Sequence, residues 1–419
     1  MKQLYPKHLL PRIVTVPGSK SISHRMLICA ALCRGTCDIR NLLDSQDIGL
    51  TLHALACMGA KIDKISSDTV HVAGFAGHLV PFSDPIYLGN SGTSMRLLAG
   101  IAGIGTTPYT LTGDARMCAR PMQELLDALT LLEIRAESES HQGFPPVIIQ
   151  GGHRHGGTTR LDCSKSSQYL SALLMIGPFM THGLTIELTG PPVSSPYIDL
   201  TLDVMTQFQV TAYRINDTTY QVPGGQPYIP GDYVVEPDLS NAGYFWAAGA
   251  ITGQKIGVAH IRPDSLQGDF KQIHILEKMG CDLFFDNRAV SVKGRHHLQA
   301  VDVDMSDTPD AVPAIAVVAA FAQGTTRIRN IRHLREKECD RIHAVTSQLE
   351  KMGIRTDQGE DWLSVTGGVP KGAVIHTFND HRIAMAFAVA GLKVPGMQIE
   401  NETCVGKSFP GFWDVFDAL

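Results

Sequence analysis

Two carboxylates and seven cations in this chain sit where their charges need an explanation. The cations are Lys20, Arg25, Arg120, Lys337, Arg341, Arg382 and Lys407, and the carboxylates are Asp310 and Glu338. A guanidinium can grip a carboxylate or a phosphate with two parallel hydrogen bonds. A carboxylate set among such cations can accept or deliver a proton while the charge that develops is neutralised. These residue types predict an enzyme that holds strongly anionic small molecules and moves protons between them.

Most of these residues stand at or beside the starts of helices. Six starts carry polar or ionic clusters: Pro17-Gly18-Ser19-Lys20-Ser21, Gly89-Asn90-Ser91-Gly92-Thr93, Cys163-Ser164-Lys165-Ser166-Ser167-Gln168, Asp238-Leu239-Ser240-Asn241-Ala242, Asp307-Thr308-Pro309-Asp310 and Asn379-Asp380-His381-Arg382. A helix start presents free N–H groups and about half a positive charge, so it favours anions. Ordinary capping explains any one of the serines. It does not explain Lys20 and Arg25, two cations at the end the helix dipole disfavours. Gly18 and Gly92 allow a close backbone approach. Ser166, Ser167 and Gln168 offer neutral donors, and Ser194 and Tyr197 fall at the next junction of the same unit. Arg335–Arg341 packs six charges into seven residues, with Lys337 and Arg341 four apart and predicted to share a helix face.

The elements that position these residues form a repeat. Leu-rich helical stretches end at Met58-Gly59, Met279-Gly280 and Met352-Gly353. Gly280 to Gly353 spans 73 residues and Gly59 to Gly280 spans 221, close to three periods. Each period reads βαβαββ: a strand, a nearly apolar helix, a strand, an amphipathic helix and two short strands. In the fifth unit the elements are Val301–Met305, Pro309–Ala322, Thr325–Asn330, Arg341–Met352 and two strands within Ile354–Val365. The apolar helices should be buried and the amphipathic ones should face solvent. The sixth unit lacks its closing strands, and Gln3–Leu10 is expected to supply them. The expected architecture is an α/β protein of two inside-out domains with three units each. One domain is residues 1–19 with 236–419 and the other is residues 20–235. The site is expected in the cleft between them.

Composition narrows the function classes. Hydrophobic residues make up 44% and charged residues 18%, the balance of an ordinary globular enzyme. The net charge of −5 argues against nucleic acid or a membrane surface as partner. The nine cysteines have no metal-ligand spacing, and an odd number without a signal peptide points to a reducing cytoplasm. No Walker loop and no Rossmann fingerprint occurs, so no cofactor and no metal are expected. The partners expected are small molecules, and the chain is expected to be a monomer.

At these residues the chain resembles the 5-enolpyruvylshikimate-3-phosphate synthase family. The matching motifs are Pro17–Arg25, Leu88–Arg96, Arg116–Pro121, Ser166–Leu170, Lys337–Arg341 and Asn379–Arg382, in family order over nearly the whole chain. The resemblance implies transfer of the enolpyruvyl group of phosphoenolpyruvate to the 5-hydroxyl of shikimate 3-phosphate, with release of phosphate, in aromatic amino-acid biosynthesis. It implies that Lys20, Ser21, Arg25, Ser166, Ser167, Gln168, Ser194, Tyr197, Asp310, His333 and Lys337 hold shikimate 3-phosphate. It implies that Lys20, Gly92, Arg120, Gln168, Arg341, Arg382 and Lys407 hold phosphoenolpyruvate. Asp310 would be the base for the 5-hydroxyl and Glu338 the acid for the methylene carbon, with Lys20 sharing proton transfer. Glyphosate is expected to occupy the phosphoenolpyruvate position, where Gly92 leaves room that Ala would fill.

The chain departs from the commonest family pattern at His333, where many members have Asn, at Leu97, where many have Pro, and at Cys118. The nearest rival is the enolpyruvyl transferase acting on UDP-N-acetylglucosamine, which carries a Cys before an equivalent Arg. Cys118 is closer to Arg120 than that family's spacing, and Lys20-Ser21 replaces its usual Lys-Asn. An RNA 3′-phosphate cyclase on a related repeat would call for a broad basic surface, which the net acidity opposes.

Overall fold

The computed structural model describes residues 1–419. The chain divides into two compact units, Gly18–Glu236 and Met1–Pro17 with Pro237–Leu419. Each has its own hydrophobic core.

The sheets show the repeat most clearly. In Gly18–Glu236, one sheet has the order Ile86–Tyr87, Tyr109–Thr112, Val147–Gln150, Arg135–Ser138. The first pair is parallel and the next two are antiparallel. Four other four-stranded sheets repeat this pattern. Strands such as Val70–Ala73 and Val147–Gln150 alternate buried and half-buried residues, so each has one covered face.

The helices that follow the first strands are Lys20–Leu32, Gly92–Ala102, Gln168–Ile176, Leu239–Thr252, Val312–Ala319 and His381–Gly391. Nearly every residue in them is buried. A helix apolar on all sides has no solvent face, so it takes the centre and the sheets form the wall. This is the inside-out arrangement expected from the sequence.

Two details differ from the sequence reading, and the pairing of the strands beside the domain boundaries adds to it. The strand before Lys20 does not serve the helix that follows it. Arg12–Val14 pairs in parallel with Ile256–Ala259, while Asp232–Val234 pairs with Thr36–Arg40. The two units thus exchange first strands where the chain passes from one to the other. The apolar run after Thr308 begins as a 3₁₀ turn, Pro309–Ala311, continues as Val312–Ala319, and gives up Ala322–Gln323 to a short strand pair with Leu298–Gln299. At the N-terminus only Lys2–Gln3 pairs with the incomplete sixth sheet, along Gln398–Ile399, and leaves it three-stranded.

Candidate active site

The predicted residues fall into two clusters, one in each unit. In Gly18–Glu236, Gly18 has no room for a side chain, since a Cβ there would lie 1.9 Å from the Asn41 carbonyl oxygen. The close approach read from the sequence is therefore to the unit's own backbone. It brings the chain to the start of helix Lys20–Leu32. Lys20 is mostly buried and meets Asp47 at 3.5 Å. Arg25, one turn on, is 1% exposed. Its guanidinium donates to the Thr201 hydroxyl at 2.7 Å, the Ser171 hydroxyl at 3.1 Å, and the Ser21 and Tyr197 carbonyls at 2.9 and 3.2 Å. These acceptors are neutral. Burial lowers the Arg25 pKa to about 10. A buried guanidinium among neutral oxygens keeps its attraction for an outside anion.

Ser166, Ser167 and Ser194 of the same unit are all buried. The Ser194 hydroxyl has no hydrogen-bond partner, and its backbone is held at φ +54°. A non-glycine residue in that region is strained. Gln168 donates to Thr93 at 2.9 Å and accepts from Arg96 at 2.9 Å. Arg120 donates to Asn90 and packs against Gly92 so closely that an added Cβ would lie 2.5 Å from its terminal nitrogen. Gly92 therefore seats the Arg120 guanidinium on the start of helix Gly92–Ala102. Cys118 is half-buried, with its thiol directed at the Gly113 carbonyl at 3.6 Å.

The cluster in the other unit is built on ion pairs. Arg341, 1% exposed, binds three carboxylates: Asp310 at 2.7 Å, Glu338 at 2.7 Å and Asp380 at 2.8 Å. Arg382 takes the second oxygen of Asp310 at 2.7 Å. Lys407 lies 3.5 Å from the other oxygen of Glu338. Burial pushes the Asp310 pKa up, but Arg382, Arg341 and Lys337 outweigh it and hold the carboxyl well below the usual range. His333 is 6% exposed with its Nε2 unpartnered, and burial, aided by Lys337, lowers its pKa to about 3.

The local sequence explains this geometry. Asp340 is the N-cap of helix Arg341–Lys351 and accepts from the His343 N–H. Asp380 caps His381–Gly391 and accepts from the Arg382 N–H. Lys337 precedes the helix, at the end of the 3₁₀ turn Arg332–Glu336. It therefore does not share a helix face with Arg341 as the spacing of four suggested, because the capping aspartate starts the helix after it.

Sequence reasoning passed over three kinds of residue. Asp380 accepts from the Arg341 guanidinium and the Arg382 backbone N–H, and its place before an apolar helix was the available signal. Arg96 lies 5.3 Å above the Tyr169 ring and holds Gln168. Thr201 and Ser171 fix Arg25, and nothing in their local sequence announces it.

Two units of three repeats, with anion-seeking helix starts, define the enolpyruvyl transferase fold. The enolpyruvyl transferase NikO from Streptomyces tendae shares it, with a TM-score of 0.78 at 18% identity over 99% of this chain and 96% of that one. At closer range, the family described as EPSP synthase (3-phosphoshikimate 1-carboxyvinyltransferase) matches residues 5–416. The 3-phosphoshikimate 1-carboxyvinyltransferase of Syntrophobacter fumaroxidans is 42% identical over 97% of this chain and 96% of its own. The EPSP synthase structure from Acinetobacter baumannii aligns with a TM-score of 0.84 and 29% identity, over 99% of this chain and 97% of that one. The chain belongs to the EPSP synthase family and is a transferase of the shikimate pathway. No helix is long and apolar enough to cross a membrane.

Proposed function

We propose that the residues of the two clusters transfer the enolpyruvyl group of phosphoenolpyruvate to the 5-hydroxyl of shikimate 3-phosphate. The first cluster holds shikimate 3-phosphate through Lys20, Ser21, Arg25, Ser166, Ser167, Gln168, Ser194 and Tyr197, with Asp310, His333 and Lys337 completing it. Phosphoenolpyruvate lies on Lys20, Gly92, Arg120, Gln168, Arg341, Arg382 and Lys407. The reaction is an addition followed by an elimination. Glu338 delivers a proton to the methylene carbon, the 5-oxygen bonds to C2, and Asp310 accepts the 5-hydroxyl proton. A proton then leaves the new methyl group, the C2–O bond to phosphate breaks, and the double bond returns. Lys20 shares in proton transfer. The enzyme works as a cytoplasmic monomer.

One observation carries this reading. Asp310 and Glu338 sit on the two terminal nitrogens of the same Arg341 guanidinium, each at 2.7 Å. An anionic substrate that takes over Arg341 and Arg382 removes the cations that hold the Asp310 pKa down. Substrate binding thereby creates the base, while neutralising the charge that would keep two anions apart. The test is phosphate release from phosphoenolpyruvate with shikimate 3-phosphate or UDP-N-acetylglucosamine as acceptor, for wild type and Glu338→Ala. Release with shikimate 3-phosphate alone, lost in the variant, is expected. Release with the nucleotide sugar alone would overturn the assignment and turn attention to Cys118.

A further inference from the structure

A buried chain of side-chain hydrogen bonds joins the helix start that carries Lys20 to the one that carries Gly92. His24 lies four residues after Lys20, so the two share a helix face. Opposite them, helix Gln46–Cys57 presents Asp47 and Thr51, also four apart. The two helices meet in two rungs. Lys20 reaches Asp47 at 3.5 Å, and His24 Nδ1 hydrogen-bonds the Thr51 hydroxyl at 2.8 Å. From Thr51 the chain continues to the Ser94 hydroxyl at 2.8 Å and on to the Ser91 hydroxyl at 2.6 Å. Ser91 is the N-cap of helix Gly92–Ala102 and also accepts from the Ser94 N–H at 3.4 Å. His24, Thr51, Ser91 and Ser94 are fully buried.

We infer that His24, Thr51, Ser94 and Ser91 are positioning residues that fix the Lys20 and Gly92 helix starts relative to each other, and so set the shape of the phosphoenolpyruvate subsite. The inference rests on the reading that Gly92 and Arg120 form part of that subsite. Its physical basis is the cost of leaving a buried hydroxyl unpaired. His24 Nδ1 and the three hydroxyls each have a neighbour in the chain and little access to water, so a shift that broke one of these bonds would strand another buried polar atom beside His24 Nε2, which already has no partner. A shift of the Gly92 start moves the seat of Arg120, against which an added Cβ would already clash. His24 stays neutral in this setting, since burial, Lys20 and Arg25 all lower its pKa well below the ordinary value. The network therefore supplies orientation without adding a charge beside the two ligand-facing cations.

Steady-state kinetics of Thr51→Val, Thr51→Ser, Ser94→Ala and Arg120→Ala test this. Thermal unfolding of each variant identifies any that fails to fold. Valine keeps the shape of threonine and removes the hydroxyl, whereas serine keeps the hydroxyl. The expected result is a KM for phosphoenolpyruvate raised about fivefold or more in Thr51→Val and Ser94→Ala. The KM for shikimate 3-phosphate should stay within about twofold, and Thr51→Ser should recover near wild-type values. Equal changes in both KM values, or Thr51→Val matching wild type while Arg120→Ala does not, would overturn the inference. An unchanged phosphoenolpyruvate KM in Arg120→Ala would overturn the subsite reading itself, and the inference with it.

Discussion

The two clusters treat their arginines in opposite ways. Arg25 is surrounded by hydroxyl and carbonyl oxygens, while Arg341 is surrounded by carboxylates. The first arrangement leaves positive charge for an incoming phosphate. The second is already neutralised, and an anion must compete with Asp310 and Glu338 to enter it. In the proposed reaction that competition is useful, because the displaced carboxylates are the groups assigned to move protons. On that proposal one cluster captures and the other exchanges.

The sharpest way to break this contrast is at the exchanging carboxylates. Asp310→Asn and Glu338→Gln should each lower kcat by about 10²- to 10⁴-fold, the usual worth of a general acid or base. Binding of shikimate 3-phosphate should change far less, which equilibrium titration would show. Next is stability. Arg341→Met strips the guanidinium from buried Asp380 and should destabilise the fold by about 3–5 kcal/mol, as for other broken buried ion pairs. Denaturant unfolding measures it. Arg25→Met leaves neutral groups behind and should cost less. At the Gly92 seat, Gly92→Ala should displace Arg120 and raise the phosphoenolpyruvate KM by on the order of tenfold, since small misplacements in a site are expensive. Glyphosate inhibition should weaken in the same variant.

The smallest effect concerns a buried acid behind the exchanging cluster. Asp269 is 5% exposed and accepts from the Ser240 hydroxyl, and its other oxygen is unpartnered. Burial, with the charge of Asp310, raises its pKa to about 7 against the pull of Arg382. A raised carboxyl pKa means the folded state keeps a proton that the unfolded state loses above pH ~4. Stability is therefore lost as pH rises from there through about 7. Asp269→Asn should gain more Tm at pH 8 than at pH 5. Equal gains at both would show that the carboxyl ionises normally.

Much of this was legible in the sequence because it rests on local rules. The 73-residue period, the apolar helices and the polar clusters at their starts are each visible within one unit. Asp310 and Arg382 stood out as charges at the starts of apolar helices, and Glu338 and Arg341 as members of the charge run Arg335–Arg341. What was not legible depends on contacts between distant segments. Arg12–Val14 pairs with a strand 244 residues further on and Asp232–Val234 with one 194 residues back, and periodicity is blind to such partners. The acceptors of Arg25, Ser171 and Thr201, are ordinary residues on other helices. Lys337 was misplaced because a spacing of four implies a shared face only inside a helix, and Asp340 caps the helix after it.

The central claim is that capture belongs to the neutral-lined arginine and exchange to the ion-paired one. Titration of shikimate 3-phosphate into wild type, Arg25→Met and Arg341→Met, each checked for folding, tests it most directly. The account predicts a loss of affinity of about a hundredfold or more in Arg25→Met, equivalent to at least ~2.7 kcal/mol. It predicts a change of about threefold or less in Arg341→Met, although that variant no longer turns over phosphoenolpyruvate. Equal losses of shikimate 3-phosphate affinity in the two variants would contradict it.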